Sequence, residues 1–174
     1  MRAEVQRISR DDVPRVVQLL GKTNQFNLTT QRHTAGDLQA LLDAPRSVAL
    51  SLRLADRFGD YGLIAVVLGV DEPGVERPTL RVDTWLMSCR AIARGVEAFT
   101  LNHIVAAARA LGYEALLGEY IPTAKNALVA DLYDKLGFAR VENLPGARPV
   151  KHEAVRYLLE SSGYVPRPTA VTDR

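Results

Sequence analysis

The sequence has little of several features that mark particular classes of protein. It holds one cysteine, Cys89, so an internal disulfide and a Cys-x-x-Cys metal or redox motif are both excluded. Its longest apolar run, residues 63–70, is far too short for a membrane span. Aromatic residues make up only 6%, and no basic face is interleaved with them, which argues against a nucleic-acid partner. With a charged N-terminus unlike a signal peptide, we expect a soluble, cytoplasmic protein without a membrane partner.

The composition that is present is ordinary for one globular domain. The chain has 174 residues, of which 47% are hydrophobic and 24% charged, with a formal net charge of +2. Its three histidines, His33, His103 and His152, lie far apart without the spacing of metal ligands, so no metal site is expected. We predict a single domain over residues 1–160 and a flexible tail, rich in proline and polar residues, over residues 161–174.

The hydrophobic patterns predict elements in the order β-α-α-β-β-β-α-β-α-β-β. Two helices follow the first strand, three strands come next, and two helices then alternate with the last strands. This order indicates an α+β protein with a mixed, mostly antiparallel central sheet flanked by about four helices. The last of these helices is predicted to run from Thr123 to Leu136.

The segment from Trp85 to Phe99 joins an apolar strand to a long helix through Arg90-x-x-Ala93-x-Gly95. Backbone N–H groups at a helix start, together with the positive end of the helix dipole, favour phosphate or pyrophosphate. We therefore predict that this turn binds the anionic end of a cofactor. The predicted cofactor-binding residues of the segment are Met87, Ser88, Arg90, Ala93, Arg94, Gly95 and Val96.

Cys89 lies immediately before this turn, next to Arg90. A thiol at the mouth of a helix and beside arginines is a candidate nucleophile that can hold an acyl group. The alternative is a small apolar residue buried at a strand end, which is a common role for a lone cysteine.

The order of elements, with the turn after the fourth strand, resembles the GNAT (Gcn5-related N-acetyltransferase) fold. The pyrophosphate signature of that family is Gln/Arg-x-x-Gly-x-Gly/Ala, and Arg90, Ala93 and Gly95 stand in its three places, with alanine replacing the first glycine. The resemblance implies coenzyme A or a phosphopantetheine thioester as acyl donor. It also implies that the fourth and fifth strands splay apart and leave a gap for the acyl group.

The resemblance also suggests roles for residues later in the chain. Asn126 would hydrogen-bond the pantetheine arm, and the Tyr133 hydroxyl would protonate the departing thiolate. The alternative for Tyr133 is an amphipathic residue with its hydroxyl in solvent. Glu119, at the end of the fifth strand, is a candidate base or substrate-orienting group, or else a solvated carboxylate. In the polar loop, Phe26 and Asn27 are candidate acceptor-site residues together with Arg32.

Four stretches resemble a narrower group, the GNAT-like C-terminal part of the FkbH-like proteins of polyketide biosynthesis. That resemblance implies transfer of a glyceryl unit to an acyl carrier protein, a transfer for which Cys89 is the candidate residue to carry the glyceryl unit. It also implies a haloacid-dehalogenase-type phosphatase domain or protein as partner, because no Asp-x-Asp-x-Thr loop occurs in this chain. The four stretches are residues 22–33, 51–68, 87–97 and 118–138.

Three functions remain open at this point. The preferred one is a GNAT-type acyltransferase acting on thioesters of coenzyme A or a carrier protein. The second is an acetyl-CoA-dependent N-acetyltransferase of a small amine, with Glu119 as base and Tyr133 as acid. The third is a non-catalytic module that docks a carrier protein or a phosphatase, since fold by itself does not determine function.

Overall fold

A computed structural model describes residues 1–92, 94–150 and 153–173, so Ala93 of the predicted turn lies outside the described residues. In the described part of the chain, eight strands form one sheet in the order β6-β7-β5-β4-β3-β2-β1-β8. The pairs β4–β5 and β1–β8 are parallel, and the other neighbours are antiparallel. The strands are β1 (Arg2–Arg7), β2 (Val48–Asp56), β3 (Gly59–Asp71), β4 (Thr79–Met87), β5 (Ala115–Tyr120), β6 (Ala139–Val141), β7 (Val155–Glu160) and β8 (Thr172–Asp173).

Helices cover both faces of this sheet. On one face α1 and α2 pack through Val16, Leu20 and Leu38, and α3 and α4 pack on the other. Thr34 and Asp37 form a reciprocal capping box that begins α2. None of the described helices has the length and apolar character needed to cross a membrane. The helices are α1 (Val13–Lys22), α2 (Ala35–Asp43), α3 (Val96–Ala110) and α4 (Leu132–Lys135).

The predicted α+β class with a mixed, mostly antiparallel sheet is thus confirmed, but the last helix differs from its prediction. Instead of one helix from Thr123 to Leu136, a 3-10 turn at Ala127–Val129 precedes the single turn of α4. The cause is local, because the Asn126 side chain accepts hydrogen bonds from the Thr123 backbone and hydroxyl and so competes with helical pairing. Asn126 and Tyr133 therefore do not share one helical stripe.

The tail also differs from the expected flexible segment. It runs along α3, where Asn102 exchanges side-chain hydrogen bonds with the backbone of Arg167. Thr169 then donates from its hydroxyl to the Gly95 carbonyl, and Val171 is buried. Finally, β8 pairs with the edge of β1. Composition alone suggested disorder because proline and polar residues cannot build a core, but here they bind to an existing surface.

The parallel strands β4 and β5 separate as the resemblance implied. They pair only from Thr79–Arg81 with residues 115–117, and no ladder joins their C-terminal halves. This leaves a gap between the two strands on the way to the turn that precedes α3.

Candidate functional site

The chain leaves β4 through a tight connection that places Cys89 at the surface. The Ser88 N–H donates to the Ile64 carbonyl at 2.7 Å, and a 3-10 turn follows at Cys89–Ala91. Gly95 then precedes α3 with φ of 77°, a left-handed conformation that glycine adopts without strain. The Cys89 thiol is exposed, so its alternative role as a buried apolar residue is wrong.

Cys89 lines a cavity of about 390 Å³ on the α1 side of the sheet, which we call the basic cavity. Its walls include Arg15 and Lys22 of α1, Tyr61 of β3, and Arg90 of the turn. No carboxylate is among its described lining residues. In the described part of the chain, none of the three cations forms an ion pair with an acidic side chain. The cavity therefore has a positive potential suited to an anionic ligand.

A second cavity, of about 380 Å³, lies between α3 and α4 on the opposite side of the sheet, and we call it the apolar groove. Ile92, Ala98 and Leu132 contribute to its mainly apolar walls, and Gly95 lies at its edge. Phe26 lines both this groove and the basic cavity. The two cavities thus approach each other from opposite faces at the gap between β4 and β5.

The predicted cofactor-binding residues are divided between these two sides. Met87, Ser88 and Arg90 line the basic cavity, whereas Gly95 lines the apolar groove. The Val96 side chain is fully buried in the core, so only its backbone is available to a ligand. The predicted anion-binding turn therefore lies between the basic cavity and the apolar groove rather than within one of them.

The charge of Arg94, also predicted to bind a cofactor, is engaged by neighbouring side chains. Its guanidinium lies 3.7 Å from the Asp56 carboxylate and 5.4 Å from the centre of the Tyr61 ring. Arg90 therefore remains the arginine of this turn whose charge is available to a ligand in the basic cavity.

Asn126 is fully buried beside the gap and contacts the chain's own backbone there. Its Nδ2 donates to the carbonyls of Asn27 and Ile121, each at 2.9 Å. The predicted contact to a pantetheine arm stays a prediction, because in this conformation a peptide carbonyl takes that donor.

Tyr133 is 1% exposed and lines neither cavity. Its ring packs 4.8 Å from Phe138 and 6.3 Å from Trp85, measured between ring centres, and it contacts the backbone at Gly118, where a Cβ would come within 2.5 Å. The alternative of a solvent-exposed hydroxyl is therefore wrong. Burial, and after it the negative charge of Glu119, raises the pKa of the Tyr133 phenol. The Glu119 N–H partly opposes this rise, yet the hydroxyl has no hydrogen bond of normal geometry to any described residue.

Glu119 is also buried, at 2% exposure, so the alternative of a solvated carboxylate is wrong. Its two oxygens accept from Arg148 Nη2 at 2.6 Å and from Arg156 Nε at 3.2 Å. A carboxylate held by two guanidinium groups is poorly available to accept a proton from a substrate. The roles of Glu119 as base and of Tyr133 as acid stay predictions that this conformation does not favour.

A buried charged cluster, not predicted from the sequence, is linked to Glu119 through Arg148. Arg81 donates to Glu72 at 2.9 Å and to Asp83 at 2.7 Å, and His33 Nε2 lies 2.9 Å from the Asp83 carboxylate. The available signal was Arg81-x-Asp83, two charges on one face of an otherwise apolar strand. Its partners could not be found because they are distant in sequence.

The pKa of Asp83 is altered by its surroundings. Burial alone would raise the pKa of Asp83, but hydrogen bonds and positive charge from His33 and Arg81 outweigh it and lower the pKa to about 2. The cluster is thus a largely buried ion network centred on the β4 residues Arg81 and Asp83. Among residues 1–92, 94–150 and 153–173, no three His, Cys, Asp or Glu side chains converge as metal ligands would.

The architecture is that of the GNAT fold, and solved structures with this fold match nearly the whole chain. The GNAT domain of S. lividans PAT is 20% identical, with 91% of this chain and 90% of that one covered and a TM-score of 0.66. Spermidine N-acetyltransferase from Vibrio cholerae, in complex with CoA and spermine, is 13% identical over 92% and 96% of the two chains, with a TM-score of 0.65.

A third match is a putative acetyltransferase from Salmonella typhimurium with its cofactor acetyl-CoA. It is 14% identical over 95% of this chain and 98% of its own, with a TM-score of 0.63. At such low identities these matches establish the fold alone. No family model matches the sequence, and none of the curated proteins does.

Proposed function

We propose that this chain is an acyltransferase for thioester-linked acyl groups, in which Cys89 holds the acyl group between donor and acceptor. The observation that carries the proposal is the exposed Cys89 on the wall of a cavity whose three cations form no ion pair with a carboxylate among the described residues. A nucleophile beside unpaired positive charge is suited to a reaction in which an oxyanion develops.

The chemistry needs only a thiol and a thioester. The Cys89 thiol loses its proton to solvent, and its sulfur attacks the thioester carbonyl carbon. A new carbon–sulfur bond forms, and the bond to the donor sulfur breaks. The donor leaves as a thiolate and takes a proton from solvent. An acceptor thiol then attacks the acyl-Cys89 in the same way and regenerates the cysteine. Arg90, the next residue along the chain, supplies positive charge near the developing oxyanion.

We further propose that the acyl group is a glyceryl unit and the acceptor the phosphopantetheine thiol of an acyl carrier protein. Support comes from the resemblance to the FkbH-like proteins, because three of the four resembling stretches meet at the basic cavity. These are residues 22–33, 51–68 and 87–97, which contribute Lys22, Tyr61 and Cys89. The phosphate of a carrier arm and a phosphorylated three-carbon acyl group both carry the charge that the basic cavity favours. A haloacid-dehalogenase-type phosphatase would then act as the partner.

A second candidate is an acetyl-CoA-dependent N-acetyltransferase of a small amine. The structural neighbours favour it, since one is described with acetyl-CoA and another with CoA and spermine. It would use Glu119 as base and Tyr133 as acid, and the present burial and pairing of these two side chains favour it less than the cysteine route.

Intact-mass measurement separates the candidates. The protein is incubated with acetyl-CoA, and separately with a glyceryl carrier protein together with its phosphatase. We expect a covalent adduct that is absent in Cys89→Ala and retained in the control Ser162→Ala, which alters an exposed residue outside both cavities. Acetylated amine without an adduct would instead identify the N-acetyltransferase. Binding of the carrier protein with neither product would identify a docking module.

A further inference from the structure

The gap between β4 and β5 is filled by residues Phe26–Leu28, which we call the gap segment. On one side the Met87 N–H donates to the Phe26 carbonyl at 3.1 Å, and the Leu28 N–H donates to the Trp85 carbonyl at 3.4 Å. On the other side the Ile121 N–H donates to the Leu28 carbonyl at 2.9 Å. The gap segment thus behaves as a very short strand inserted between the two diverging strands.

These hydrogen bonds use the backbone groups that a pantetheine arm in the gap would need. A pantetheine arm contains two amides, so it offers the same N–H and C=O groups as a peptide. Asn126 illustrates how a peptide carbonyl can take the place of a pantetheine amide. Its Nδ2 donates to the Asn27 carbonyl, whereas the resemblance implies that it would donate to the arm. The gap segment and the arm therefore cannot occupy the gap together.

Phe26 separates the two cavities at this point. Its side chain is 1% exposed, packs 6.3 Å from the Trp85 ring centre, and lines both the basic cavity and the apolar groove. An arm that enters along the apolar groove can reach the side of Cys89 only if Phe26 moves.

The closed arrangement retains unfavourable features. Thr30, just beyond the gap segment, has φ of 56°, a left-handed conformation that is strained for a β-branched residue. Asn27 Nδ2 and Trp85 Nε1 are buried without a hydrogen-bond partner among the described residues. Unsatisfied buried donors and backbone strain both lower the cost of leaving this conformation.

We propose that the gap segment is a built-in competitor of the pantetheine arm. It closes the gap in the free protein, and an arm of coenzyme A or a carrier protein displaces it and connects the apolar groove to the basic cavity. This inference shares with the proposed function only the thioester arm as ligand, and it does not depend on acylation of Cys89.

A reversible crosslink tests the displacement. Asn27 and Leu86 are directly opposed in an antiparallel bridge, so Asn27→Cys with Leu86→Cys can form a disulfide that holds the segment closed. The pair is made in a Cys89→Ser background to prevent mispairing. Binding of desulfo-coenzyme A, which has no thiol to reduce the disulfide, is measured by calorimetry. We expect affinity at least about tenfold weaker in the oxidised than in the reduced protein, and no such difference in the background alone.

Phe26→Ala provides a second variant that needs no crosslink. It removes the side chain that separates the cavities, so we expect binding of desulfo-coenzyme A about tenfold tighter than in the unaltered chain. Leu38→Ala, an equally buried truncation on α2, is the matched control and should leave the affinity unchanged.

Equal affinity in the oxidised and reduced forms would overturn the inference, as would absence of binding in both the reduced pair and Phe26→Ala. If desulfo-coenzyme A binds only when the disulfide is reduced but no Cys89 adduct forms, the competing role of the gap segment is supported and the proposed acyl transfer is wrong.

Discussion

Two predicted catalytic residues at the ends of the neighbouring strands β4 and β5 differ in exposure and in the pairing of nearby charges. Cys89, after β4, is exposed beside cations that pair with no carboxylate in the part of the chain that the structure describes. Glu119, the next-to-last residue of β5, is buried and held by Arg148 and Arg156. Because they lie at comparable places in the fold, position does not explain the difference. The positive charge at the Cys89 end is available to a ligand, whereas the charge of Glu119 is already paired within the protein.

Removing the charge of Glu119 should have the largest effect on stability and tests most strongly whether the end of β5 differs from the end of β4. Glu119→Gln leaves Arg148 and Arg156 facing a neutral amide, and we expect a loss of about 3 kcal/mol in the free energy of unfolding. Urea unfolding measures it, with exposed Glu76→Gln as control. A loss below about 0.5 kcal/mol would show that Glu119 is not part of a stabilising network and would restore it as a candidate base.

Because of the charged cluster around Asp83, we expect the free energy of unfolding to fall in acid. The pKa of Asp83 is lowered from its usual 3.8 to about 2, so its stabilising contribution is present above the unfolded-state value and disappears as the pH falls through about 2. We expect about 2 kcal/mol to be lost between about pH 4 and pH 2. Asp83→Asn should remove this part of the pH dependence, measured by urea unfolding across pH. Exposed Asp11→Asn should retain it.

A smaller effect is expected at Tyr133. Because its buried hydroxyl lacks a normal hydrogen bond, Tyr133→Phe should raise the free energy of unfolding by up to about 1 kcal/mol. Tyr157→Phe is the matched control and should be destabilising, since that hydroxyl donates to Asp134 at 3.2 Å. An unchanged rate of acyl transfer in Tyr133→Phe removes the phenol from the mechanism, and a large decrease would show that it moves to the site.

The smallest effects on stability are expected in the basic cavity. Cys89→Ala and Arg90→Ala alter exposed side chains without ion pairs in the described structure, so each should change the free energy of unfolding by less than about 0.5 kcal/mol. Both should nevertheless impair formation of the acyl adduct, and Cys89→Ala should abolish it in intact-mass measurements. If either variant instead lost several kcal/mol in the free energy of unfolding, the end of β4 would have a structural role like the end of β5.

Much of the fold follows from local patterns along the chain. The continuous apolar run of residues 63–70 and the glycine before α3 place their elements correctly because each signal lies within a few residues. The extended helix predicted from Thr123 is wrong because side-chain hydrogen bonds of Thr123 and Asn126 outweigh helical periodicity. The sequence left two interpretations of Cys89 open, and its exposure in the folded chain distinguishes them, because exposure depends on neighbours in space.

The sequence by itself determined the α+β class, the order of elements and the turn between β4 and α3, because these depend on periodicity and on residues with particular backbone preferences. Only the tertiary structure decided that Phe26–Leu28 fills the gap, that Arg148 and Arg156 neutralise Glu119, and that the tail packs on α3. These contacts join residues tens of positions apart, and no local pattern encodes such pairing. Their energy comes from backbone groups and charges that meet only when the sheet is assembled.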